Sequence, residues 1–360
     1  MCLGRDVHIE KASPQNPRNS EGAFIELADG MIMLAYSKFW GENSDDHANA
    51  GIYAIFSRDD GETWSEGRTL LEKNDDDRNI MSISLCRMQD GSIGMFFLRK
   101  YADGACKLNL VRSYDEAVTW TQPKCCIDDP GYYVVNNDRV IRLRNGRLVF
   151  PAALHPGNSL TGIDSSGLIC FYYSDDDGNT FHRAKGTFKI PFQNVRGGLQ
   201  EPGLLELNDG RLWCWARCKF GFQFEAFSDD SGETWSNVNP NPYFTSPCSP
   251  MSAKRIQEEK VLAVFNPIPR YAGRGNTTYN AGRTPLACAV SDDGAAGFGE
   301  LKYLEDDPCY GYCYTAIFHK KDYILLSYLY LGDDYGYSGM RGQLDGLKIK
   351  KIWVNELLNL

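Results

Sequence analysis

Apolar and polar residues alternate in short runs along this chain, and the runs come in pairs joined by a tight polar turn. The first three pairs are AFIELADGMIMLAYS, SISLCRMQDGSIGMFFL and RVIRLRNGRLVFPAA. The next three are GLLELNDGRLWCWAR, AKRIQEEKVLAVFN and TAIFHKKDYILLSYL. Asp-Gly or Asn-Gly between alternating hydrophobic residues is a strong signal for a β-hairpin. The pattern therefore predicts six hairpins, and no long helical periodicity competes with them.

A polar turn that ends in an aromatic residue follows each of the first five hairpins, and we call each such turn a box. The first box, SRDDGETW, begins at Ser57, and related turns begin at Ser113, Ser174, Ser228 and Ser291, the last in the degenerate form SDDGAAGF. A recurrence at roughly 60 residues is the signature of a repeat architecture such as a propeller. Serine and aspartate side chains can bond nearby backbone N–H groups and glycine permits positive φ, so we interpret the box as a structural clasp.

Each unit of the repeat reads as a hairpin, a third strand, a box and a fourth strand, which is one antiparallel blade. The units predict an all-β fold, a six-bladed β-propeller with four-stranded antiparallel blades, in a single domain spanning residues 1–360. The sixth unit has no box, while RDVHIEK near the N-terminus and DGLKIKKIWVNEL near the C-terminus both have strand patterns. We expect strands from both chain ends to complete one blade and close the ring.

The charge and composition narrow the classes of partner. The formal net charge is −9, so no field of basic residues exists to neutralise phosphates, and neither nucleic acid nor a membrane surface is an expected partner. An acidic ligand must instead be captured by local arginines. No zinc-like cysteine pairs, phosphate loop or nucleotide fingerprint is present, so we expect no metal and no cofactor. The absence of a signal-like apolar run predicts a cytoplasmic protein with reduced cysteines, and the oligomeric state is left undetermined.

Charged and aromatic residues stand at strand positions that converge on one face of a propeller, near its centre. Such residues are unusual at buried strand starts unless they are paired or face a cleft. The candidates that head first strands are Arg18, Glu21, Arg78, Asp138, Arg139, Glu201, Tyr312 and Tyr314, and those that interrupt apolar strands are Arg217 and Arg283. Each of these residues alone is readily explained as a structural ion-pair partner. Several units that each direct such a residue towards the centre, however, indicate a binding or catalytic site.

The boxes and this constellation resemble the sialidase superfamily of six-bladed propellers over nearly the whole chain. The resemblance implies that Arg18, Arg217 and Arg283 bind a substrate carboxylate. It also implies a tyrosine nucleophile in the last blade, which is Tyr314 with Tyr312 as the weaker choice.

The same resemblance assigns the two remaining catalytic roles. Glu201 is implied as the glutamate partner of the tyrosine. The acid/base aspartate lies on a loop before the first box, where NSDDHANAG offers Asp46, with Asp45 as the fallback. Glu21 is close enough to Arg18 in sequence to pair with it, and Arg78, Arg139 and His155 either line the cleft or are structural.

The implied chemistry accounts for these residue types. A sialoside carries a carboxylate on its anomeric carbon, so a neutral phenol avoids the like charge that a carboxylate nucleophile would meet, and sialidases are a known exception to the two-carboxylate scheme. Glu201 would take the phenol proton as Tyr314 attacks, and Asp46 would protonate the leaving oxygen and later activate water, with retained configuration. An arginine fork matches a planar carboxylate bidentately.

Two other functions remain open at this point. In the first, the arginines hold a uronate carboxylate, and Tyr314 or His155 acts as the base for β-elimination or another glycosidic cleavage. In the second, the propeller binds acidic sugars without cleaving them. A lectin needs the arginines but has no use for an activated phenol, so the complete set of Asp46, Glu201 and Tyr314 favours catalysis of an acidic glycan substrate.

Overall fold

A computed structural model describes residues 2–190, 198–257, 259–268, 282–332 and 344–358, the first two positions of the last range by backbone alone. Regular structure in these ranges is almost entirely β-strand, with one short helix, α1 (Val354–Leu358), near the C-terminus. None of the helical residues described forms a segment long and apolar enough to cross a bilayer. The all-β prediction is confirmed.

The first unit is a four-stranded antiparallel sheet, as its hairpin pattern predicts. Consecutive strands pair with one another, and the side chains of the two central strands are nearly all buried. The N-terminal strand is β1 (Arg5–Glu10), and the sheet consists of β2 (Asn19–Glu26), β3 (Ile32–Phe39), β4 (Ala50–Ser57) and β5 (Arg68–Leu71).

Units two and three depart from the prediction because they share one nine-stranded sheet. After the second box the chain returns between the two units, where Tyr132 pairs in parallel with Cys106 and in antiparallel register with His155. The strands of this region are β6 (Asp77–Arg87), β7 (Ile93–Tyr101), β8 (Cys106–Ser113), β9 (Lys124–Cys125), β10 (Tyr132–Val134), β11 (Ile141–Arg142), β12 (Leu148–His155), the small separate hairpin β13 (Gly157–Asn158) and β14 (Gly162–Ile163), β15 (Leu168–Ser174) and β16 (His182–Phe188).

Units four, five and six are again four-stranded and antiparallel. In unit six the N-terminal strand β1 pairs with the C-terminal strand β27, so the expectation that both chain ends complete one sheet is confirmed. The strands are β17 (Gln200–Glu206), β18 (Leu212–Arg217), β19 (Phe222–Ser228), β20 (Asn239–Thr245), β21 (Ser252–Arg255), β22 (Val261–Phe265), β23 (Leu286–Ser291), β24 (Lys302–Glu305), β25 (Gly311–Lys320), β26 (Tyr323–Gly332) and β27 (Leu344–Trp353).

The boxes form the local clasp that their composition predicts. In the first box, the Ser57 hydroxyl donates to Asp59 at 2.8 Å and accepts from the Gly61 N–H at 2.8 Å, while Thr63 donates to Asp59 from both its backbone and its hydroxyl. The degenerate fifth box keeps the same geometry, because the Ala295 N–H donates to the Ser291 hydroxyl at 2.8 Å. The clasp therefore depends on the serine and aspartate more than on the glycine.

Each box also contacts the hairpin turn of the preceding unit. The backbone N–H of Ala28, in the first hairpin turn, donates to Glu116 of the second box at 2.7 Å. The Tyr323 hydroxyl of unit six donates to Asp60 of the first box at 2.9 Å, so the last unit contacts the first. Equivalent hydrogen bonds join Gln89 to Asp177 and Asn145 to Ser231. Ala295 of the fifth box packs against a cluster that contains Leu207 of the fourth hairpin.

The apolar core is divided among the spaces between successive sheets. Units one and two, for example, bury Ala23 and Ile83 in one cluster. The cluster between units six and one contains Leu325 and Ile349 from unit six and Leu34 from unit one. Burial of apolar surface is the main favourable term in folding, so each unit is stabilised by contact with both of its neighbours. The last unit, unit six, packs against the first.

Candidate active site

The first strands of four units carry the same irregularity, which lies near the start of β2, β17 and β25 and in the middle of β6. One extra residue breaks the register of the strand pair, and a residue in the left-handed conformation stands at each break: Glu21 at φ 55°, Ser82 at φ 58°, Glu201 at φ 46° and Tyr314 at φ 59°. A β-bulge re-aims a side chain, and a left-handed non-glycine residue costs about 1–2 kcal/mol. The chain accepts this strain where the side chains enter a shared cleft.

These residues meet at a cavity of about 180 Å³ at the end of the sheets away from the boxes. Its wall includes all four bulge residues, together with Asp46 from the loop between β3 and β4 and Arg217 from the end of β18. The cavity is thus assembled from units one, two, three, four and six, His155 of unit three included, although these segments are far apart in sequence.

Tyr314 and Glu201 are the central pair of the cleft. The Tyr314 hydroxyl donates to Glu201 Oε1 at 3.4 Å, and Glu201 Oε2 lies 3.0 Å from Arg217 Nε. Burial raises the pKa of Tyr314 well above its ordinary value, and the nearby Glu201 carboxylate raises it further, against the opposing charges of Arg283 and Arg217. The phenol therefore stays protonated, with a carboxylate placed to accept its proton.

Two of the three predicted arginines lie side by side at this pair. Arg217 Nη1 and Arg283 Nη2 both donate to the carbonyl oxygen of Cys248, at 3.3 and 3.4 Å. The guanidinium of Arg283 stands over the Tyr314 ring, 5.4 Å from its centroid. The Tyr314 phenol therefore lies next to two neighbouring cations, of which Arg217 lines the cavity wall and Arg283 does not.

The third arginine, Arg18, is 6% exposed and uses all three of its guanidinium nitrogens. Its Nε donates to the Ser20 hydroxyl at 2.9 Å, its Nη2 to Glu21 at 2.5 Å and its Nη1 to Asp46 at 2.6 Å. The pairing with Glu21 is the one that their sequence spacing suggested. Glu21 is also buried and accepts a hydrogen bond from the Ser82 hydroxyl, and burial raises the pKa of this carboxyl while the Arg18 charge opposes the rise.

Asp46 reaches the cleft from its loop, with 62% of its side chain exposed. Partial desolvation acts to raise the pKa of Asp46, and the charges of Arg18 and Lys100 overcome it, so the pKa lies well below its ordinary value. The fallback, Asp45, does not line the cavity. Asp45 is exposed, and its backbone N–H donates to the Asn43 side chain at 2.9 Å. Of the two neighbouring aspartates, the structure brings Asp46 to the site.

Residues 11–331 match the family model of the BNR repeat-like domain. The chain belongs to the BNR repeat-like domain family. No curated protein matches it. The match covers most of the chain, and it confirms the relationship that the boxes suggested.

Solved structures similar to this BNR repeat-like protein include proteins of the sialidase fold. A Dyadobacter fermentans protein of unknown function has 17% identity and a TM-score of 0.71, covering 97% of this chain and 99% of that one. The NanB sialidase from Streptococcus pneumoniae has 15% identity and a TM-score of 0.70, covering 98% and 71%. The intramolecular trans-sialidase from Ruminococcus gnavus has 13% identity and a TM-score of 0.70, covering 98% and 97%. At these identities the likeness shows a shared fold.

Three other candidates of this BNR repeat-like protein hold its units together instead of lining the cleft. Arg139 is 3% exposed and donates to the Met251 carbonyl at 2.7 Å. Asp138 pairs with Lys254 at 3.1 Å, and Tyr312 is 2% exposed in the core between units five and six. Sequence analysis could not separate these residues from cleft residues, since both kinds stand near the start of a first strand.

The remaining two candidates lie on the loop side of the site. Arg78 donates to the carbonyl and hydroxyl oxygens of Ser159 at 3.2 and 3.1 Å and lies outside the cavity wall. His155 lines the cavity, and its Nδ1 lies 2.8 Å from the Asp164 carbonyl. Burial lowers the pKa of His155, so the imidazole is neutral at physiological pH.

Sequence reasoning missed several polar residues of the wall, among them Ser82, Gln200 and Lys100. Gln200 accepts from Arg217 Nη2 at 3.2 Å, and Lys100, only 3% exposed, reaches the Asp46 carbonyl. A signal for Lys100 was present, because it stands near the end of the apolar run SIGMFFLRK as Arg217 does in LWCWAR. Among the residues that the structure describes, no group of three or more His, Cys, Asp or Glu side chains is placed to hold a metal ion.

Proposed function

We propose that this protein is an exo-sialidase-like glycoside hydrolase that releases terminal sialic acid, or a related acidic sugar, with retained configuration. The observation that carries the proposal is the approach of the Tyr314 hydroxyl to Glu201 Oε1, at 3.4 Å, beneath Arg283 and beside Arg217. A phenol with an adjacent carboxylate base is an activated nucleophile, and the neighbouring guanidiniums select a substrate with a negative charge. Two of the similar structures are a sialidase and a trans-sialidase by name.

The architecture proposed for this enzyme is a single-domain six-bladed propeller spanning residues 1–360. It is supported by the contact of each box with the preceding hairpin turn and by the packing of unit six on unit one. Such a ring would place the bulged starts of the first strands around one opening. This geometry explains how residues hundreds of positions apart share one cleft.

The substrate carboxylate would be bound by Arg217, Arg283 and Arg18. The first two arginines already converge on the Cys248 carbonyl, which offers weaker compensation than a carboxylate. Together with Lys100, the arginines outnumber the carboxylates Glu21, Asp46 and Glu201 of the cleft by one, which suits a ligand with one negative charge.

The reaction would proceed in two displacements. In the first, the Tyr314 oxygen attacks the anomeric carbon, its proton passes to Glu201, and the bond to the leaving oxygen breaks as that oxygen receives a proton from Asp46. In the second, Asp46 removes a proton from water, the water oxygen displaces Tyr314, and the phenol recovers its proton from Glu201. Two inversions at one carbon give retention.

A synthetic methylumbelliferyl glycoside of N-acetylneuraminic acid tests this proposal directly. We expect purified protein to release the fluorescent aglycone, and NMR of the first-formed sugar to show the anomer of the substrate. Folded protein that binds N-acetylneuraminic acid without turnover would favour a lectin. An absorbing unsaturated product from a uronate polymer would favour the lyase, for which the neutral His155 is the available base.

A further inference from the structure

The backbone carbonyl of Asp46 accepts hydrogen bonds from two side chains of unit two. Asn79 Nδ2 donates to it at 2.8 Å, and Lys100 Nζ donates to the same oxygen. Asn79 also donates to the Ala48 carbonyl at 2.9 Å. Since Asn79 and Lys100 are direct cross-strand partners in β6 and β7, both donors hold fixed places on one face of a sheet. The loop that carries Asp46 is therefore fastened to unit two through its backbone.

Lys100 is an unusual member of this pair. Its side chain is buried, it lines the cavity, and its second contact is the Met81 sulfur at 3.2 Å. Within the described ranges no carboxylate forms an ion pair with it. Burying an ammonium without a carboxylate partner is costly, and a neutral residue would avoid that cost. We therefore expect the positive charge of Lys100 to have a function in the cleft.

We propose that Lys100 is a positioning residue for the acid/base step, which holds the Asp46 loop in place and supplies a positive charge to Asp46 once Arg18 turns to the substrate. This inference rests on the proposed function, in which Asp46 is the acid/base and Arg18 binds the substrate carboxylate. Among the residues that the structure describes, the Asp46 carboxylate forms an ion pair with Arg18 alone. A substrate that takes Arg18 removes that tie, while the ties from Asn79 and Lys100 to the backbone persist.

The charges that face Asp46 support this division of roles. Arg18, just before β2, already pairs with Glu21 of β2, and His47, on the loop that carries Asp46, has a pKa lowered by burial and by the Lys100 charge. When the substrate carboxylate neutralises Arg18, Lys100 is the cation left beside Asp46. Its charge favours the carboxylate form, which is the form that activates water in the second displacement.

The test compares Lys100→Met, which removes the donor and the charge, with Lys100→Arg, which keeps both. Lys107→Met is the matched control, because Lys107 lies in the same sheet and donates to the distant Asp128 carbonyl at 3.3 Å. The substrates are an aryl sialoside, whose leaving group needs little protonation, and a sugar-linked sialoside, which needs the acid. We expect Lys100→Met to lower kcat/KM for the sugar-linked substrate by about 10²-fold, because a loosened loop misplaces the acid of the first displacement, and to lower it far less for the aryl substrate. Equal losses on both substrates would overturn the proposal.

The pH profile and the amide exchange of the loop complete the test. Loss of the Lys100 charge raises the pKa of Asp46, so the basic limb of kcat/KM should move to higher pH in Lys100→Met and return in Lys100→Arg. Hydrogen exchange of residues 40–49 should quicken in Lys100→Met but not in Lys107→Met, without any substrate present. Unchanged exchange and an unmoved basic limb would reject the role of Lys100. An inactive wild-type protein would instead reject the proposed function, so the two failures are distinguishable.

Discussion

Arg18 and Asp46 form an ion pair of 2.6 Å at the open side of the cleft, with Asp46 62% exposed and Arg18 almost fully buried. The proposed function assigns the two partners to two different groups on the anomeric carbon of the substrate, Arg18 to the carboxylate and Asp46 to the leaving oxygen. The second carboxylate that pairs with Arg18, Glu21, is buried and accepts a hydrogen bond from the Ser82 hydroxyl, so Asp46 is the carboxylate that a substrate can displace. Binding of an acidic sugar would then release the acid/base, and a neutral sugar would leave it paired.

The nucleophile is tested by Tyr314→Phe, which removes one oxygen. We expect kcat/KM to fall by roughly 10³-fold or more, because no phenol remains to form the glycosyl intermediate. Binding of a competitive acidic inhibitor should persist. Tyr312→Phe is the control, since that ring is buried in the core two residues away, and it should keep its activity. Turnover by Tyr314→Phe at the wild-type rate would exclude the tyrosine mechanism.

Arg283→Lys tests the recognition of the carboxylate. Lysine keeps the charge but loses the fork, so we expect KM for an acidic substrate to rise by about 10-fold or more, in line with the strength of hydrogen bonds to charged groups. For the methyl ester of the substrate, the KM of Arg283→Lys should be nearly the same as that of the wild type, because the ester has no charge to bind. A penalty of equal size on the acid and the ester would mean that Arg283 acts elsewhere.

Arg139→Leu should separate a structural arginine from one that binds substrate. Arg139 donates to Met251 and Ser252, whereas Trp215 Nε1 also satisfies the Met251 carbonyl at 2.8 Å. We expect a loss of about 1–3 kcal/mol in the free energy of unfolding, measured by denaturant titration, with KM unchanged. A raised KM at full stability would place Arg139 in the cleft.

The boxes make a pH-dependent contribution to stability. Hydrogen bonds from the Thr63 side chain and backbone lower the pKa of Asp59 to about 2. Because this folded-state pKa lies below the ordinary value of about 4, the stabilisation is complete above pH ~4 and is lost as the pH falls towards ~2. Thermal melting of Asp59→Ala and wild type should therefore differ most at neutral pH and converge near pH ~2. A difference that does not change with pH would contradict the clasp as the source.

Much of the fold follows from local patterns. Alternation with a period of two and Asp-Gly or Asn-Gly turns predicted hairpins that the structure contains, since both signals act over a few residues. The shared sheet of units two and three was not predictable, because the pairing of Tyr132 with Cys106 joins short strands that no strong pattern marks. For the site, Glu201 and Tyr314 were accessible from sequence because a charged or polar residue at a strand start is unusual.

The sequence by itself determined the repeat, the clasps, the hairpins and the pool of charged residues near strand ends, because each depends on neighbours within a turn or two. Only the tertiary structure decided which charges meet. Arg139 and Arg217 look alike in sequence, yet one faces a neighbouring sheet and the other the cleft, and Asp46 reaches Arg18 only because a loop folds over the cavity. Packing between sheets fixes these directions, and no residue carries that information alone.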